Sequence, residues 1–217
     1  MVTIRRRRYD MELNIDEALR YLGVREAADG PLHRQMSALA QELQSRIRPR
    51  FTWATADKAS LDLPGRTAQS LLTDCTQCAV LVCTLGAEFD LWVRREQQRD
   101  MARAAMLDAL GSAWVESGCD AAEEVIRARF PGMYLTDRFS PGYGGLPLTL
   151  QPALLALAGG GRIGVTVSDS LLMHPQKSVT AIVGIADKPQ MAKIRGCAHC
   201  AFRPDCPYRK AGTTCHV

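Results

Sequence analysis

An α+β fold, with helices dominating the first two-thirds and a small cysteine-rich appendage at the end, is what this chain predicts. Three observations carry that expectation. Apolar residues recur at helical spacing over much of residues 14–48 and 87–129. Short apolar runs bounded by turn residues stand at 79–83 and 178–185. After Asp187 the apolar signal stops, and the rest of the chain holds four of its eight cysteines. The expected division is therefore residues 1–188 as the folded domain and 189–217 as a metal- or cluster-binding tail.

The elements follow in order. Asn14-Ile15-Asp16-Glu17 opens a short amphipathic helix with Leu19 and Leu22 inward and a stop at Gly23. Gly30 and Pro31 break the chain. Residues 32–48 read as a longer helix with Met36, Leu39, Leu43 and Ile47 on one face. Phe51–Thr55 suits a strand, Thr67–Leu72 a short helix, and Ala79–Cys83 a buried strand. Ala87 through Arg129 is expected to be helical with at least one break. From Asp137 to Pro147 glycines and prolines replace periodicity. Gln151–Leu157 returns to helix; Arg162–Val167 and Ser178–Ile185 read as strands.

The bulk numbers exclude several classes. A length of 217 residues suits one domain with an appendage, and 47% hydrophobic with 23% charged residues is ordinary for a globular protein. A formal charge of +4 is too mild to argue for nucleic acid, and the one dense basic run, Arg5–Arg8, reads as a solvated end. No apolar stretch is long enough to span a membrane, and the basic start is not followed by the apolar segment of a secretory signal. A cytoplasmic protein is expected. In a reducing compartment clustered cysteines serve as metal ligands or redox groups more often than as disulfides.

Two stretches carry candidate chemistry. Asp137–Gly144 reads D-R-F-S-P-G-Y-G. Proline restricts the backbone, the flanking glycines free it, and such a loop brings main-chain groups close to a ligand. Arg138 is able to clamp a carboxylate with two charge-assisted hydrogen bonds; the plainer reading is a turn with Arg138 in a salt bridge. Upstream, Ala105, Ala109, Ser112, Ala113 and Glu116 fall on one helical face. A carboxylate at the end of a small-residue strip reaches a ligand ammonium; the plainer reading is a tight helix contact.

The segments T-D-R-F-S-P-G-Y-G at 136–144, P-L-T-L-Q at 147–151 and the 24 residues from Arg162 to Ile185, with C-T-L-G-A-E-F-D at 83–90, closely resemble the free-standing activation-domain proteins of cobalamin-dependent methionine synthase. The resemblance covers most of the chain from about Ala79 onward. It implies helices packed on a mostly antiparallel sheet, and a site for S-adenosylmethionine built from Glu116, Arg138, Ser140, Gly142, Tyr143 and Gly144. Arg138 would hold the ligand carboxylate, Ser140 would stand where the family makes main-chain contacts, and Tyr143 would lie beside the methyl-transfer path facing the corrinoid. Two positions depart from the pattern: Gly145 stands where the relatives usually carry an acidic residue, and residues 1–60 offer no clear match to the family's N-terminal aspartate.

Cys197-x2-Cys200-x5-Cys206, followed by Cys215, places four thiols within 19 residues. They are expected to bind one metal centre, zinc or an iron–sulfur cluster, with His199 and His216 as alternative ligands. Cys75-x2-Cys78 matches a redox motif only in spacing, whereas Cys83 and Cys119 read as core residues.

The implied function is reductive reactivation of a cobalamin protein. S-adenosylmethionine supplies the methyl group, and a donor such as flavodoxin or ferredoxin supplies the electron. The chain contains neither Asp-x-His-x-x-Gly for cobalt nor the glycine-rich strand-loop-helix of many methyltransferases. The corrinoid is therefore expected on a partner, a corrinoid-binding protein or methionine synthase modules. A metal-binding accessory or sensor that binds S-adenosylmethionine without methyl transfer is the alternative, and a methyltransferase with its own small substrate is a third.

Overall fold

The computed structural model describes residues 11–24, 30–194, 203–204, 207–210 and 212. Its centre is an antiparallel sheet in the order β1–β2–β6–β3, formed by Arg50–Asp57 (β1), Cys75–Thr84 (β2), Ser178–Ala186 (β6) and Tyr134–Leu135 (β3). Thr166–Val167 (β4) and Met173–His174 (β5) form a separate two-stranded ribbon. Helices α1 (Ile15–Tyr21), α2 (Pro31–Arg46), α4 (Ala87–Gln97) and α5 (Met101–Arg129) make one layer. Helices α3 (Arg66–Leu71) and α6 (Gln151–Ala158) pack with the loops on the opposite face, and α7 (Pro207–Lys210) is a single turn. An α+β fold with helices on an antiparallel sheet is what the sequence predicts.

The central strands have no solvent face, which is why they read as apolar runs rather than alternating ones. Ala79, Leu81 and Cys83 of β2, with Ala181, Val183 and Ile185 of β6, enter the core under α1, α2, α4 and α5. Their alternates Cys78, Val80, Val82 and Ile182 enter a second core with Leu71, Leu72, Phe139, Leu146 and Leu154. Period-two geometry thus divides one strand between two cores.

Most expected elements stand close to their places. Asn14 caps α1, its side chain accepting the Glu17 amide at 2.9 Å. Met36, Leu39, Leu43 and Ile47 are all buried. The long helical region breaks at residues 98–100, where Asp100 accepts the Arg103 amide at 3.0 Å and starts α5 afresh. Two differences have physical causes. β2 begins at Cys75, four residues before the apolar run, because exposed Thr76 and Gln77 hide the start of a strand that pairs with the end of β6 through a bulge. The strand expected over Arg162–Val167 is mostly a tight turn at Gly160–Ile163. Gly159 and Gly164 bracket it with φ of 72° and 79°, and only Thr166–Val167 pairs.

Several of the sequence stretches singled out above are struts. The Thr84 hydroxyl accepts the Gly86 amide at 3.0 Å and the Ser178 hydroxyl at 2.8 Å, tying the start of β6 to the turn that launches α4. Lys177 reaches across to α5, binding Asp108 at 2.9 Å and Ser112 at 2.8 Å. Among the described residues no helix is long and apolar enough to cross a membrane.

Candidate functional site

α5 is buried along much of its 29 residues, and small side chains make that possible. A Cβ at Gly111 would collide with the Phe89 ring, and one at Gly118 would lie 2.5 Å from the Cys83 sulfur. Ala109 and Ala113 are buried in the same core, whereas Ala105 is exposed and Ser112 is bound by Lys177. The small-residue strip is therefore helix packing, the plainer of its two readings. What α5 turns toward the loop side is a stripe of acids, Glu116, Asp120 and Glu123, at four- and three-residue spacing.

Arg138 meets that stripe. Residues 134–139 run beside β6: Tyr134 and Leu135 pair with it, the Thr136 amide donates to Gly184 at 3.0 Å, and Phe139 exchanges hydrogen bonds with Ile182 at 3.0 and 2.8 Å. Phe139 enters the second core, so its neighbour Arg138 turns to the other side of the chain, onto α5. Its guanidinium bonds Glu116, Asp120 and, at 2.6 Å, Glu123. The Arg138 side chain is only 8% exposed, and the Glu123 side chain 11%. Burial opposes the charge on Arg138; Cys119 and then the three carboxylates outweigh it, so the guanidinium holds its proton more firmly than usual. Cys119 is itself hydrogen-bonded to Cys83 and fully buried, and both effects push its thiol well above the ordinary range. A neutral thiol contributes little charge at neutral pH, so the carboxylates do the holding.

The structure therefore brings Glu116 and Arg138 into direct contact. It adds Asp120 and Glu123, which the sequence reading did not pick out although their spacing from Glu116 was there to be read. It adds α1 as well. Tyr21 lies close enough to Glu116 that its hydroxyl is pushed up to about 12, by burial first and then by Glu17 and Glu116. Arg20 pairs with Glu17 at 3.0 Å.

Beyond Arg138 the loop folds on itself. The Ser140 carbonyl accepts the Tyr143 amide at 3.2 Å, the Tyr143 carbonyl accepts the Leu146 amide at 3.0 Å, and the Leu146 carbonyl accepts the Gly142 amide at 2.8 Å. Gly142 and Gly144 take φ of 89° and 58°. Gly144 presses on Thr67 at the start of α3 so closely that a Cβ would collide with it. Tyr143 stands at the tip, 74% exposed, with exposed Leu148 beside the loop. On the other flank Asp137 accepts the amides of Lys193 and Ile194 at 2.7 and 2.9 Å. The chain leading to the tail is thus pinned next to Arg138.

The proposed ligands Cys197, Cys200, Cys206 and Cys215, with His199 and His216, lie outside the described residues. Among the described residues no cluster of histidine, cysteine or acidic side chains has the form of a metal site. Burial pushes the Cys78 thiol up to about 11 and raises Cys75 as well, so this pair sits as neutral buried thiols. Cys83 and Cys119 are core residues, as read.

No family model matches the chain, and no curated protein matches it either. Among solved structures it is similar to the MetH reactivation domain bound to AdoHcy, with a TM-score of 0.57, 13% identity, and coverage of 93% of this chain and 83% of that one. At that identity the likeness is one of fold, and it extends over nearly the whole chain.

Proposed function

We propose that this chain binds S-adenosylmethionine and presents it to a corrinoid on a partner protein, as a component of reductive reactivation. One observation carries the reading: a glutamate of the long helix and the arginine of the Gly-Tyr-Gly loop already form a partly buried ion pair, 22 residues apart in sequence, in the same loop as an exposed tyrosine. The amino-acid end of the ligand is a zwitterion. Inserted into that pair, its carboxylate takes the place of Glu116 on Arg138 while Glu116 takes its ammonium, so every buried charge keeps a partner. The shared fold with a reactivation domain that binds AdoHcy supports the same reading.

The chemistry asked of the protein is placement. One electron from a flavodoxin- or ferredoxin-type donor takes cobalt(II) to cobalt(I). The cobalt electron pair then forms the bond to the methyl carbon, and the pair of the broken carbon–sulfur bond stays on sulfur. Ser140, Gly142 and Gly144 shape the loop under the ligand, and Tyr143 faces the incoming corrinoid. The docking surface is transient, roughly 1,200 Å² or less in total, because the corrinoid must return to its ordinary methyl donor. Residues 189–217 form a separate tail in which Cys197, Cys200, Cys206 and Cys215 hold zinc or an iron–sulfur cluster. The pinning of residues 193–194 to Asp137 favours a tail that works beside the ligand loop. It equally favours the second reading, a cytoplasmic metal-binding sensor that uses S-adenosylmethionine without transferring its methyl group.

The test is a single-turnover assay with cobalt(II) corrinoid protein, a low-potential reductant and S-adenosylmethionine. Methylcobalamin is expected to form faster with the chain than without it, and more slowly with Tyr143→Phe at unchanged ligand affinity. Equal rates with and without the chain overturn the reactivator reading and leave the sensor. Anaerobic purification with iron, sulfide and zinc analysis decides the tail: neither metal, with all thiols titrating freely, removes it as a metal site.

A further inference from the structure

The proposed function makes no use of Cys75-x2-Cys78. In a regular strand the first and fourth residues point to opposite faces and stand about 10 Å apart, too far for their sulfurs to meet. β2 is not regular at that point. Cys75 stands opposite Ala186, Gln77 opposite Ile185 and Cys78 opposite Gly184, so Thr76 is the extra residue of a bulge. The bulge removes one step of the strand and gives the two cysteines the relation of alternate residues. Both enter the second core, 5% and 0% exposed. Two strand steps bring their Cα atoms to about 6.6 Å, the long end of the range that a disulfide spans.

The surroundings bear on the pair. Cys75 Sγ lies in the hollow that Gly184 leaves, where a Cβ would stand 2.6 Å from it, with Leu72 and Thr136 alongside. Two ammonium groups close the end of α3: Lys58 donates to the Leu72 carbonyl and Lys193 to the Ser70 carbonyl, each at 2.5 Å. Burial raises both thiols. Lys58 acts against it at both and Lys193 at Cys75, which makes Cys75 the readier of the two to form a thiolate. Lys58 and Leu72 also line an open cavity of about 320 Å³, room enough for a hydroperoxide.

We infer that Cys75 and Cys78 form a reversible redox site, a dithiol that a hydroperoxide converts into a disulfide. The Cys75 thiolate attacks one peroxide oxygen, the O–O bond breaks, and the leaving oxygen takes the thiol proton and departs as water or alcohol. The Cys78 sulfur then attacks the sulfenic sulfur, the S–O bond breaks, and the hydroxyl leaves as water with the Cys78 proton. Two electrons pass from the sulfurs to the peroxide, and a dithiol reductant returns them. A bond at the long end of the range draws the start of β2 inward, so the bridge is strained and easily reduced rather than structural. It also takes Cys75 away from Gly184, whose main chain holds Thr136 by two hydrogen bonds of 3.0 and 2.8 Å. Thr136 begins the segment that carries Arg138 and Tyr143, so oxidation is expected to loosen that loop. None of this requires the S-adenosylmethionine reading.

Peptide mapping of the full chain tests it. Protein purified anaerobically is treated with a slight excess of hydrogen peroxide, alkylated under denaturing conditions and digested with trypsin. Residues 67–94 form one tryptic peptide that holds Cys75, Cys78 and Cys83. In the oxidised protein this peptide is expected to have lost two hydrogens, about 2 Da, and to carry one alkyl group, on Cys83, where the reduced protein carries three. Dithiothreitol should restore all three. In Cys78→Ala the sulfenic acid of Cys75 should be trapped by dimedone, while Cys75→Ala should leave Cys78 unreacted. In hydrogen–deuterium exchange, residues 136–147 should exchange faster in oxidised than in reduced wild type, and Cys75→Ala should show no difference. Three alkyl groups on the peptide after peroxide, or a bond from Cys75 or Cys78 to Cys83 or to a cysteine of the tail, overturns the inference. Unchanged exchange at residues 136–147 overturns its link to the loop. The wild-type map decides the first point even where a variant fails to fold.

Discussion

The two halves of the candidate site are built by opposite means. α5 is regular throughout its length, packs on α1, α2, α4 and three strands, and holds Glu116, Asp120 and Glu123 in fixed relation because a helix has one geometry. Residues 136–147 have almost no regular structure. They are held by contacts at a few points: Thr136 on Gly184, Phe139 on Ile182, Gly144 on Thr67, and Leu146 in the second core. The helix supplies rigidity that a ligand can lean on. The loop supplies an exposed tip and turns that only glycine makes without strain. The proposed task, holding one molecule while meeting another, would use both.

Arg138 joins the halves, so its loss should be the largest effect. Arg138→Ala takes the guanidinium away from three carboxylates, of which Glu123 is nearly buried and Glu116 partly so, and is expected to lower stability by about 2–4 kcal/mol in denaturant unfolding as well as to abolish binding. Arg138→Lys keeps the charge but not the two-pronged fork. It should fold, and it should bind S-adenosylmethionine more weakly by roughly 1.5–3 kcal/mol in calorimetry. Equal affinities of wild type and Arg138→Lys would show that the fork holds no ligand carboxylate.

Next in size is a change that touches the helix alone. Phe89 is fully buried and lies over Gly111, so Phe89→Ala should cost about 3–5 kcal/mol, while Gly111→Ala, by overpacking, should cost roughly 1–3 kcal/mol. Both should leave ligand affinity nearly unchanged wherever the protein is folded. A large loss of affinity without loss of stability would mean that α5 responds to the site rather than merely supporting it.

The loop should show the reverse pattern. Gly144→Ala forces a side chain into a left-handed conformation against Thr67, and should cost roughly 1–3 kcal/mol. Because the displaced segment carries Tyr143, methyl transfer should fall more than global stability. A variant that loses stability but transfers the methyl normally would place the tip of the loop outside the reaction.

The smallest effect is electrostatic. The Tyr21 hydroxyl, ordinarily ionising near 10, is pushed up to about 12. A proton held more firmly in the folded state adds stability that is complete below pH 10 and is lost as the pH rises toward 12. Tyr21 is nearly half exposed, so this contribution is small. The ultraviolet difference between wild type and Tyr21→Phe should titrate near 12, and Glu116→Gln should bring it down. An unmoved value in Glu116→Gln would separate α1 from the site.

Some of this was legible in the sequence because the relevant physics is local. Helical spacing identified the buried faces of α1 and α2. Asn14 announced a cap. The apolar runs of β2 and β6 announced strands buried on both sides, and the glycines around Tyr143 announced an irregular loop. The small residues of α5 were legible too, but not their purpose. Ala109 and Ala113 turned out to serve packing, because only the folded structure shows which neighbour needs the room.

Tertiary structure decided the rest, and the reason is sequence separation. Whether Arg138 clamps a carboxylate or sits in a salt bridge depends on what lies opposite it. That is set by the pairing of residues 134–139 with β6, which lies far downstream in the chain (Tyr134 opposite Ala186, Phe139 opposite Ile182), and by the packing of α5 on the same sheet. Period two in the paired segment sends Phe139 into one core and Arg138 toward α5; the rotation of α5, set by Gly111 and Gly118 against Phe89 and Cys83, brings Glu116, Asp120 and Glu123 to meet it. Residue types and local spacing determined which groups were available for chemistry. The long-range register of one sheet determined that four of them share a charge.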